Sequence, residues 1–231
     1  MSNSSTTPPA TLPHYLVDTY HWAYLSPRWV PLLDHTAVVN VILWGQSAKL
    51  IANVTQNIER DHHVLQAACV YGNFSGKIIQ RIGNQGALQI VDIAPIQLRQ
   101  ARAKLKSFKN VLFALGNLHS QAGLDLDLKF DRAICFFLLH EIPQEQRPAI
   151  LKNLLRELKP NGRLIIVDYH KPRPWHPLKP IMTLIFKLLE PYAQSFINDD
   201  LLSYLKPISY RVISKKLHFG GLYQSWVIEV N

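Results

Sequence analysis

The chain has 231 residues and a mass of 26.4 kDa, which is the size of one ordinary domain. Hydrophobic residues make up 48% and charged residues 18% of it, so a sizeable core can form and general disorder is excluded. Twenty-five Lys and Arg against sixteen Asp and Glu give a formal net charge of +9, which favours an anionic partner such as a membrane surface, nucleic acid or a charged metabolite.

The compartment follows from the cysteines and the N-terminus. Cys69 and Cys135 are too few for a disulfide framework and form no CxxC pair. The first residues, MSNSSTTPPATLP, lack the apolar run of a signal peptide. No uncharged apolar run reaches the roughly 18 residues that a membrane span needs. We therefore expect a cytoplasmic protein that does not cross a membrane.

The N-terminal quarter predicts a tail followed by helices. Residues 1–12, rich in Ser, Thr and Pro, indicate a disordered tail. Residues 13–60 show helical apolar spacing, which Pro27 and Pro31 divide into at least two helices. This extension either packs onto the main domain or closes over a site as a lid. Its aromatic residues are Tyr15, Tyr20, Trp22, Tyr24, Trp29 and Trp44.

Residues 61–231 alternate short apolar segments with helical ones. This alternation is typical of an α/β domain with a parallel sheet covered by helices on both faces. Two late segments flank Gly220-Gly221 and predict an antiparallel hairpin. We expect a Rossmann-like seven-stranded sheet whose strands lie at 64–70, 87–91, 111–115, 130–139, 163–167, 210–219 and 223–230.

Three features meet where the predicted strands end, the edge at which open α/β sheets bind ligands. Gly72 and Gly76 follow the first strand, Asp92 ends the second, and Asn117 follows the third. A carboxylate in the position of Asp92 accepts hydrogen bonds from ribose hydroxyls. The turn lacks the G-x-G-x-x-G pattern that holds a dinucleotide pyrophosphate. S-adenosylmethionine (SAM) therefore suits this turn better than NAD.

The break Lys159-Pro160-Asn161-Gly162 is similar to the segment before strand five in class I SAM-dependent methyltransferases, which residues 63–230 resemble. A narrower resemblance, over nearly the whole chain from Tyr15, is to the RquA proteins of rhodoquinone biosynthesis. It is carried by AACVYGNF (67–74), VDIAPIQL (91–98), FFLLHE (136–141), VDYHKP (167–172), HPL (176–178) and YHWAYLSP (20–27).

The resemblance implies unusual chemistry. RquA proteins replace a methoxy group of ubiquinone with an amino group, with SAM as the amino donor and manganese as a supporting ion. Asn73 and Asn117 stand where that pattern carries Asp. Two other reactions therefore stay open: cyclisation of SAM to azetidine-2-carboxylate with release of methylthioadenosine, and ordinary methyl transfer to a small apolar acceptor.

These considerations assign roles to individual residues. We expect His140 to act as a base on the SAM amine, because histidine titrates near neutral pH, and Tyr169 and Tyr20 to be catalytic with it. Three further residues, Trp22, Tyr24 and His170, are assigned to the substrate or the lid. The residues expected to bind the cofactor are Tyr71, Gly72, Asn73, Asp92, Ile93, Gln97, Asn117, Leu118 and Phe137.

The sequence also contains candidate metal ligands and a candidate membrane-binding segment. Glu141 beside His140, or His170 with His176, could hold a hard divalent ion such as manganese. Residues 171–189 form a basic amphipathic stretch that suits a membrane surface, with a core-packing helix as the alternative. The small-molecule partner is then a membrane quinone. The basic residues are dispersed and no aromatic-basic motif appears, so nucleic acid is not expected.

Overall fold

A computed structural model describes residues 12–120, 124, 126 and 128–231 of the chain. Residues 1–11, where most of the tail is predicted, lie outside the described residues. The chain then enters a series of short helical segments. These are α1 (His14–Asp18), a π-helical turn (His21–Leu25), α2 (Trp29–Leu33), α3 (Thr36–Ile42) and α4 (Ser47–Thr55).

Strands and helices then alternate. Pro stands at the first or second position of the helices Pro95–Lys104, Arg147–Arg156 and Lys179–Leu188, where its missing N–H removes no helical hydrogen bond. The elements are β1 (His63–Ala67), α5 (Phe74–Ile82), β2 (Ala87–Asp92), α6 (Pro95–Lys104), β3 (Val111–Leu115), β4 (Phe130–Phe136), α7 (Arg147–Arg156), β5 (Leu158–Tyr169), α8 (Lys179–Leu188), α9 (Ala193–Phe196), β6 (Tyr210–His218) and β7 (Tyr223–Val230).

The seven strands form one sheet in the order β3-β2-β1-β4-β5-β7-β6. The first five are parallel, while β7 runs antiparallel to β5 and to β6. The expected Rossmann-like sheet with a C-terminal antiparallel hairpin is confirmed. The chain leaves β1 toward β2 on one side and later returns to β4 on the other. This reversal opens a crevice at the carboxyl ends of the strands.

Both faces of the sheet are buried at its central strands, whereas the edge strands β3 and β6 are partly exposed. Along β4, Ala133 and Cys135 face one core layer and Ile134 and Phe136 face the other. Side chains alternate between the two faces of a strand, so apolar residues at successive positions cover both sides. One layer is completed by α7 and residues 196–205, and the other by α4, α5 and α8. This arrangement explains why the central strands are apolar at most positions.

Two predicted strands end earlier than expected. The first stops at Ala67 and the fourth at Phe136, because Ala68 and Phe137 adopt left-handed backbone conformations with φ of 64° and 51°. Such angles are costly for residues other than glycine and occur often at functional sites. The fifth strand, in contrast, begins earlier. β5 includes the predicted break 159–162, with a register shift opposite Phe130 to Arg132.

The two parts of the N-terminal extension pack differently. Leu50, Val54 and Ile58 are fully buried in the same core layer as α5 and α8, so α4 is part of the domain core. Residues 12–34, in contrast, contact the carboxyl edge of the sheet through Tyr15, Leu16 and Tyr24. A cover over the site is therefore limited to this shorter segment. No single described helix is long and apolar enough to cross a membrane, and α3 with α4 reaches that composition only as a pair bent by 99°.

Candidate active site

A cleft of about 720 Å³, measured out to its open mouth, lies at the carboxyl ends of β1 to β4. This position is where the strand order reverses and where ligands of such sheets bind. The backbone turns at Ala68 and Phe137 form part of its wall. The residues around it are mostly apolar: Tyr15, Leu16, Tyr24, Ala68, Cys69, Asp92, Ile93, Gln97, Gly116, Asn117, Leu118, His119, Phe136, Phe137, Leu138, Glu141, Ile142 and Ile150.

Six predicted cofactor residues line this cleft: Asp92, Ile93, Gln97, Asn117, Leu118 and Phe137. The Asp92 carboxylate accepts hydrogen bonds from the backbone N–H groups of Cys69 (2.7 Å) and Ala94 (2.8 Å). These bonds hold it across the ends of β1 and β2, and burial raises its pKa. A carboxylate accepts about four hydrogen bonds, so Asp92 keeps the capacity to bind the hydroxyls of a ribose.

Three predicted cofactor residues, Tyr71, Gly72 and Asn73, are not among the lining residues. The Gly72 N–H donates to the Asp34 side chain at 2.8 Å, and the Tyr71 hydroxyl donates to the Ala23 carbonyl at 2.6 Å. The turn thus faces the N-terminal segment rather than the cleft. Its place on the cleft wall is taken by Ala68 and Cys69, because β1 ends early and the backbone turns over the sheet there.

A second group of polar side chains adjoins the cleft through Glu141. His140 Nε2 lies 3.8 Å from a Glu141 oxygen and 3.9 Å from a Glu190 oxygen. One ligand atom from each of the three residues lies within 4.8 Å of the others. We call His140, Glu141 and Glu190 the His-Glu-Glu cluster. Among the described residues it is the group with metal-ligand spacing, and it contains the first of the two metal pairs that the sequence suggested.

Other buried side chains fix this cluster. Asp168 accepts from the His140 ring nitrogen Nδ1 at 2.7 Å, which leaves Nε2 directed at the two glutamates. The Tyr20 hydroxyl donates to Glu190 at 2.8 Å, and the Tyr24 hydroxyl donates to Glu141. Tyr20, which was predicted to be catalytic, and Tyr24, which was assigned to the substrate or the lid, therefore both contact this cluster. A carboxylate behind a histidine orients that ligand in metal sites.

The charges of the cluster favour a cation. Burial by itself lowers the pKa of His140, but Asp168, followed by Glu190 and Glu141, outweighs burial and raises the pKa to about 9. Burial raises the pKa values of Glu141 and Glu190. Three carboxyl groups thus surround one imidazole in a buried space, and together these carboxyl groups attract positive charge. The role of base expected for His140 requires the imidazole to lose its proton first.

The sequence analysis missed Asp168 and Glu190. Asp168 is the last but one residue of β5, close to the position that Asp92 has at the end of β2, and this placement was available as a signal. Glu190 is the first acidic residue after Asp168, but it follows a helix rather than a strand. Its approach to His140 depends on how α8 and α9 pack, which no local pattern encodes.

The remaining predicted residues lie around the cluster or away from it. Tyr169 packs edge-on against His140, with ring centroids 4.7 Å apart. Trp22 is exposed on the π-helical turn. His170 and His176, the second metal pair of the sequence analysis, hydrogen-bond instead to the carbonyls of Gly221 and Phe219. The structure therefore favours the pair that contains Glu141.

Replacement of Asp92 by Asn should weaken SAM binding by about 1–3 kcal/mol, because a charge-assisted acceptor for the ribose is lost. Calorimetric titration with SAM measures this change. Asp131→Asn is the matched control, since Asp131 pairs with Lys159 and is not a lining residue of the cleft. Unchanged affinity in the Asp92 variant, with an unchanged melting temperature, would remove this residue from the binding site.

Sequence comparison identifies a known domain in the chain. Residues 64–162 match the family model described as a methyltransferase domain. The ubiquinone/menaquinone biosynthesis C-methyltransferase UbiE of Pasteurella multocida is 30% identical over 149 residues, which are 62% of this chain and 53% of that protein. An uncharacterised methyltransferase of Synechocystis sp. is 27% identical over 206 residues, 88% of this chain and 92% of that protein. The chain thus spans about half the length of the Pasteurella protein.

Solved structures agree with the fold. The N-methyltransferase NodS of Bradyrhizobium japonicum, in complex with S-adenosyl-L-homocysteine, superposes with a TM-score of 0.60 at 12% identity, covering 89% of this chain and 93% of that one. Human N-acetylserotonin methyltransferase in complex with SAM gives 0.64 at 12% identity, with coverage of 95% and 60%. At these identities the likeness supports the architecture alone, while residues 64–162 are similar in sequence to a methyltransferase domain.

Proposed function

We propose that this chain is a member of the class I SAM-dependent methyltransferase superfamily and uses SAM as an amino donor to aminate a methoxylated quinone. The observation that supports this reaction is the His-Glu-Glu cluster beside the cofactor cleft. Methyl transfer from a sulfonium needs mainly alignment of donor and acceptor. Substitution on a quinone ring gains from a cation that polarises a ring oxygen, and the cluster provides ligands for one.

The residues of the cluster fit manganese, the ion that the RquA resemblance implies. One imidazole nitrogen and two carboxylate oxygens form a mixed donor set that suits intermediate and hard divalent ions. Asp168 accepts a hydrogen bond from the other ring nitrogen of His140 and fixes the orientation of the imidazole, as carboxylates do behind metal-binding histidines. The ion, when bound, would supply a Lewis acid for a quinone oxygen. Tyr20 and Tyr24 hydrogen-bond to the glutamates and restrict the positions that the carboxylates can adopt.

In the proposed first step the SAM amine attacks the ring carbon that carries the methoxy group. A C–N bond forms, the C–O bond breaks, and methanol leaves with the proton that the amine gives up. In a second step the N–Cα bond of the adduct would be oxidised to an imine while the quinone ring is reduced to the hydroquinone, and water would then hydrolyse the imine, which releases the aminated ring and leaves the former SAM skeleton as its α-keto acid. Asp92 would hold the ribose so that the amino-acid arm of SAM extends toward the cluster. Leu16, Phe137 and Ile142 on the cleft wall would pack on the flat ring and exclude water.

Two alternatives keep specific support. The matched UbiE proteins are named C-methyltransferases of ubiquinone and menaquinone biosynthesis, which favours methyl transfer to a quinone ring as the second candidate. Cyclisation of SAM needs no second substrate and no metal. Asn117, which lines the cleft where the resemblance led us to expect a carboxylate, favours that reaction as a third candidate.

Products distinguish these reactions. We expect purified protein with SAM labelled at its amine nitrogen, a ubiquinone with a short side chain and Mn²⁺ to transfer the label to the quinone, with loss of the methoxy group. Mass spectrometry of both products measures this transfer. S-adenosylhomocysteine with a methylated ring would establish methyl transfer instead. Methylthioadenosine and a cyclic amino acid formed from SAM alone would establish cyclisation.

A further inference from the structure

Helix α8 is apolar on two opposite faces. Met182 and Phe186 are buried in the core, which accounts for one face. Ile181, Leu184 and Leu188 are 44%, 55% and 65% exposed. Their spacing of three and four residues places them on one side of the helix. A helix that only packed against the core would carry polar residues on this second face.

Neighbouring residues extend the exposed apolar face. Trp175, before the helix, is 69% exposed, and Leu189, just after it, is 45% exposed. The Arg173 guanidinium lies over the Trp175 ring, 5.4 Å from its centroid. Tryptophan beside a cation is typical of the boundary between water and lipid. We call Trp175, Ile181, Leu184, Leu188 and Leu189 the α8 surface.

The charged side chains of residues 171–189, which include this surface, are all positive. Residues 171–189 include no Asp or Glu. All four of their basic side chains are exposed. Exposed lysines and arginines around an apolar helix face attract anionic headgroups, at about 1 kcal/mol for each cation near the membrane. The basic residues are Lys171, Arg173, Lys179 and Lys187.

We propose that the α8 surface docks the protein peripherally on an anionic lipid bilayer. A second copy of the chain is a poorer occupant. A symmetric contact places a surface against itself, so the four basic side chains would face four more basic side chains, and residues 171–189 contain no carboxylate to neutralise them. The first eleven residues of the chain are also a poorer occupant. They contain no acidic side chain and only one large apolar side chain, that of Met1.

The docking surface continues directly into the candidate active site. Glu190 of the His-Glu-Glu cluster follows Leu189 in the chain, and its side chain accepts a hydrogen bond from Tyr20. Lipid contact at α8 would thus lie next to the segment that completes the cluster. The delivery of a prenylated quinone from the bilayer by this route rests on the proposed function. The membrane contact itself does not depend on which reaction SAM undergoes.

Co-sedimentation with vesicles tests the proposal. We expect the full-length protein to sediment with phosphatidylcholine vesicles that contain phosphatidylglycerol, and to bind pure phosphatidylcholine at least about ten-fold more weakly. Leu184→Gln with Leu188→Gln should weaken binding to the anionic vesicles by about ten-fold or more, since two exposed apolar groups no longer enter the interface. The matched control is Leu112→Gln with Leu217→Gln, two leucines on the edge strands β3 and β6 that are 50% and 45% exposed.

A second pair of variants separates charge from apolar contact. Lys179→Gln with Lys187→Gln should also reduce binding, whereas Lys106→Gln with Lys109→Gln, which removes the same charge outside the 171–189 segment, should not. Failure of the wild-type protein to bind anionic vesicles would overturn the proposal, as would equal binding by the Leu184/Leu188 variant and its control. A dimer in solution that the same two substitutions dissociate would assign the surface to a second copy instead. Transfer of labelled nitrogen to a short-chain quinone by the non-binding variant would leave the proposed function intact.

Discussion

Replacement of Arg147 by Met should lower the free energy of unfolding by about 3–5 kcal/mol, the usual cost of removing one partner from a buried ionic network. Arg147 is fully buried and is among the largest buried side chains. Its Nε donates to the carbonyls of Leu139 and Ile142. These two carbonyls lie on either side of His140 and Glu141, so Arg147 fixes the turn that presents both residues.

The same guanidinium also fixes the segment that carries Glu190. It donates to the Tyr192 carbonyl at 2.7 Å and to the Ser195 hydroxyl at 2.8 Å. It pairs with Asp199 at 2.9 Å and also donates to Tyr204. Arg147 thus joins the two parts of the chain that form the His-Glu-Glu cluster. Its loss would remove the guanidinium donors of these carbonyls and the cationic partner of Asp199, which would keep hydrogen bonds from Gln144 and Tyr204.

Chemical denaturation with urea, followed by circular dichroism, measures this change. Arg156→Met is the matched control, because Arg156 is exposed at the end of the same helix α7 and its replacement should change stability by less than about 0.5 kcal/mol. Stability equal to that of the control variant would show that the Arg147 network contributes nothing net.

Replacement of Glu190 by Gln should weaken Mn²⁺ binding by at least about 100-fold, since the loss of a direct ligand exceeds the loss of an outer-shell partner. Glutamine keeps the size of the side chain and an oxygen that accepts from Tyr20, so the fold should be preserved. Binding is measured from the electron paramagnetic resonance signal of free Mn²⁺ and does not require a quinone substrate. Nitrogen transfer to the quinone should fall in parallel.

Glu145→Gln is the control for this experiment, because Glu145 is exposed close to the cluster in sequence and the substitution makes the same change of charge. Equal Mn²⁺ affinity in the two variants would exclude the His-Glu-Glu cluster as the metal site. Full nitrogen transfer by the Glu190 variant, together with weakened metal binding, would show that the reaction does not require a metal ion at this cluster.

Much of the fold could be predicted because it is encoded in local patterns. Runs such as ALQIV at 87–91 and RLIIV at 163–167 are apolar at nearly every position, which is typical of strands buried on both faces. Predicted strand ends were less accurate. Ala68 and Phe137 are ordinary residues in sequence, and their left-handed backbone depends on the chain being forced over the edge of the sheet.

The residues of the candidate site could also be predicted only in part. Asp92, Ile93, Asn117 and Leu118 could be located because they follow predicted strands, and strand ends in a parallel sheet meet at one edge. Tyr71, Gly72 and Asn73 follow a predicted strand too, yet they face Asp34 and the N-terminal segment. A rule based on strand ends places residues at the correct edge of the sheet but does not give the direction of each side chain.

The sheet, its ligand-binding edge and the basic, apolar character of residues 171–189 can be predicted from the sequence, since each of these depends on the order of residue types over short stretches. In contrast, it takes the folded chain to show that Glu190 joins His140 and Glu141, that Asp168 orients the histidine, and that α8 leaves one apolar face uncovered. These features join residues far apart in the chain. They depend on helix packing and on buried groups such as Arg147, whose partners come from several separate segments.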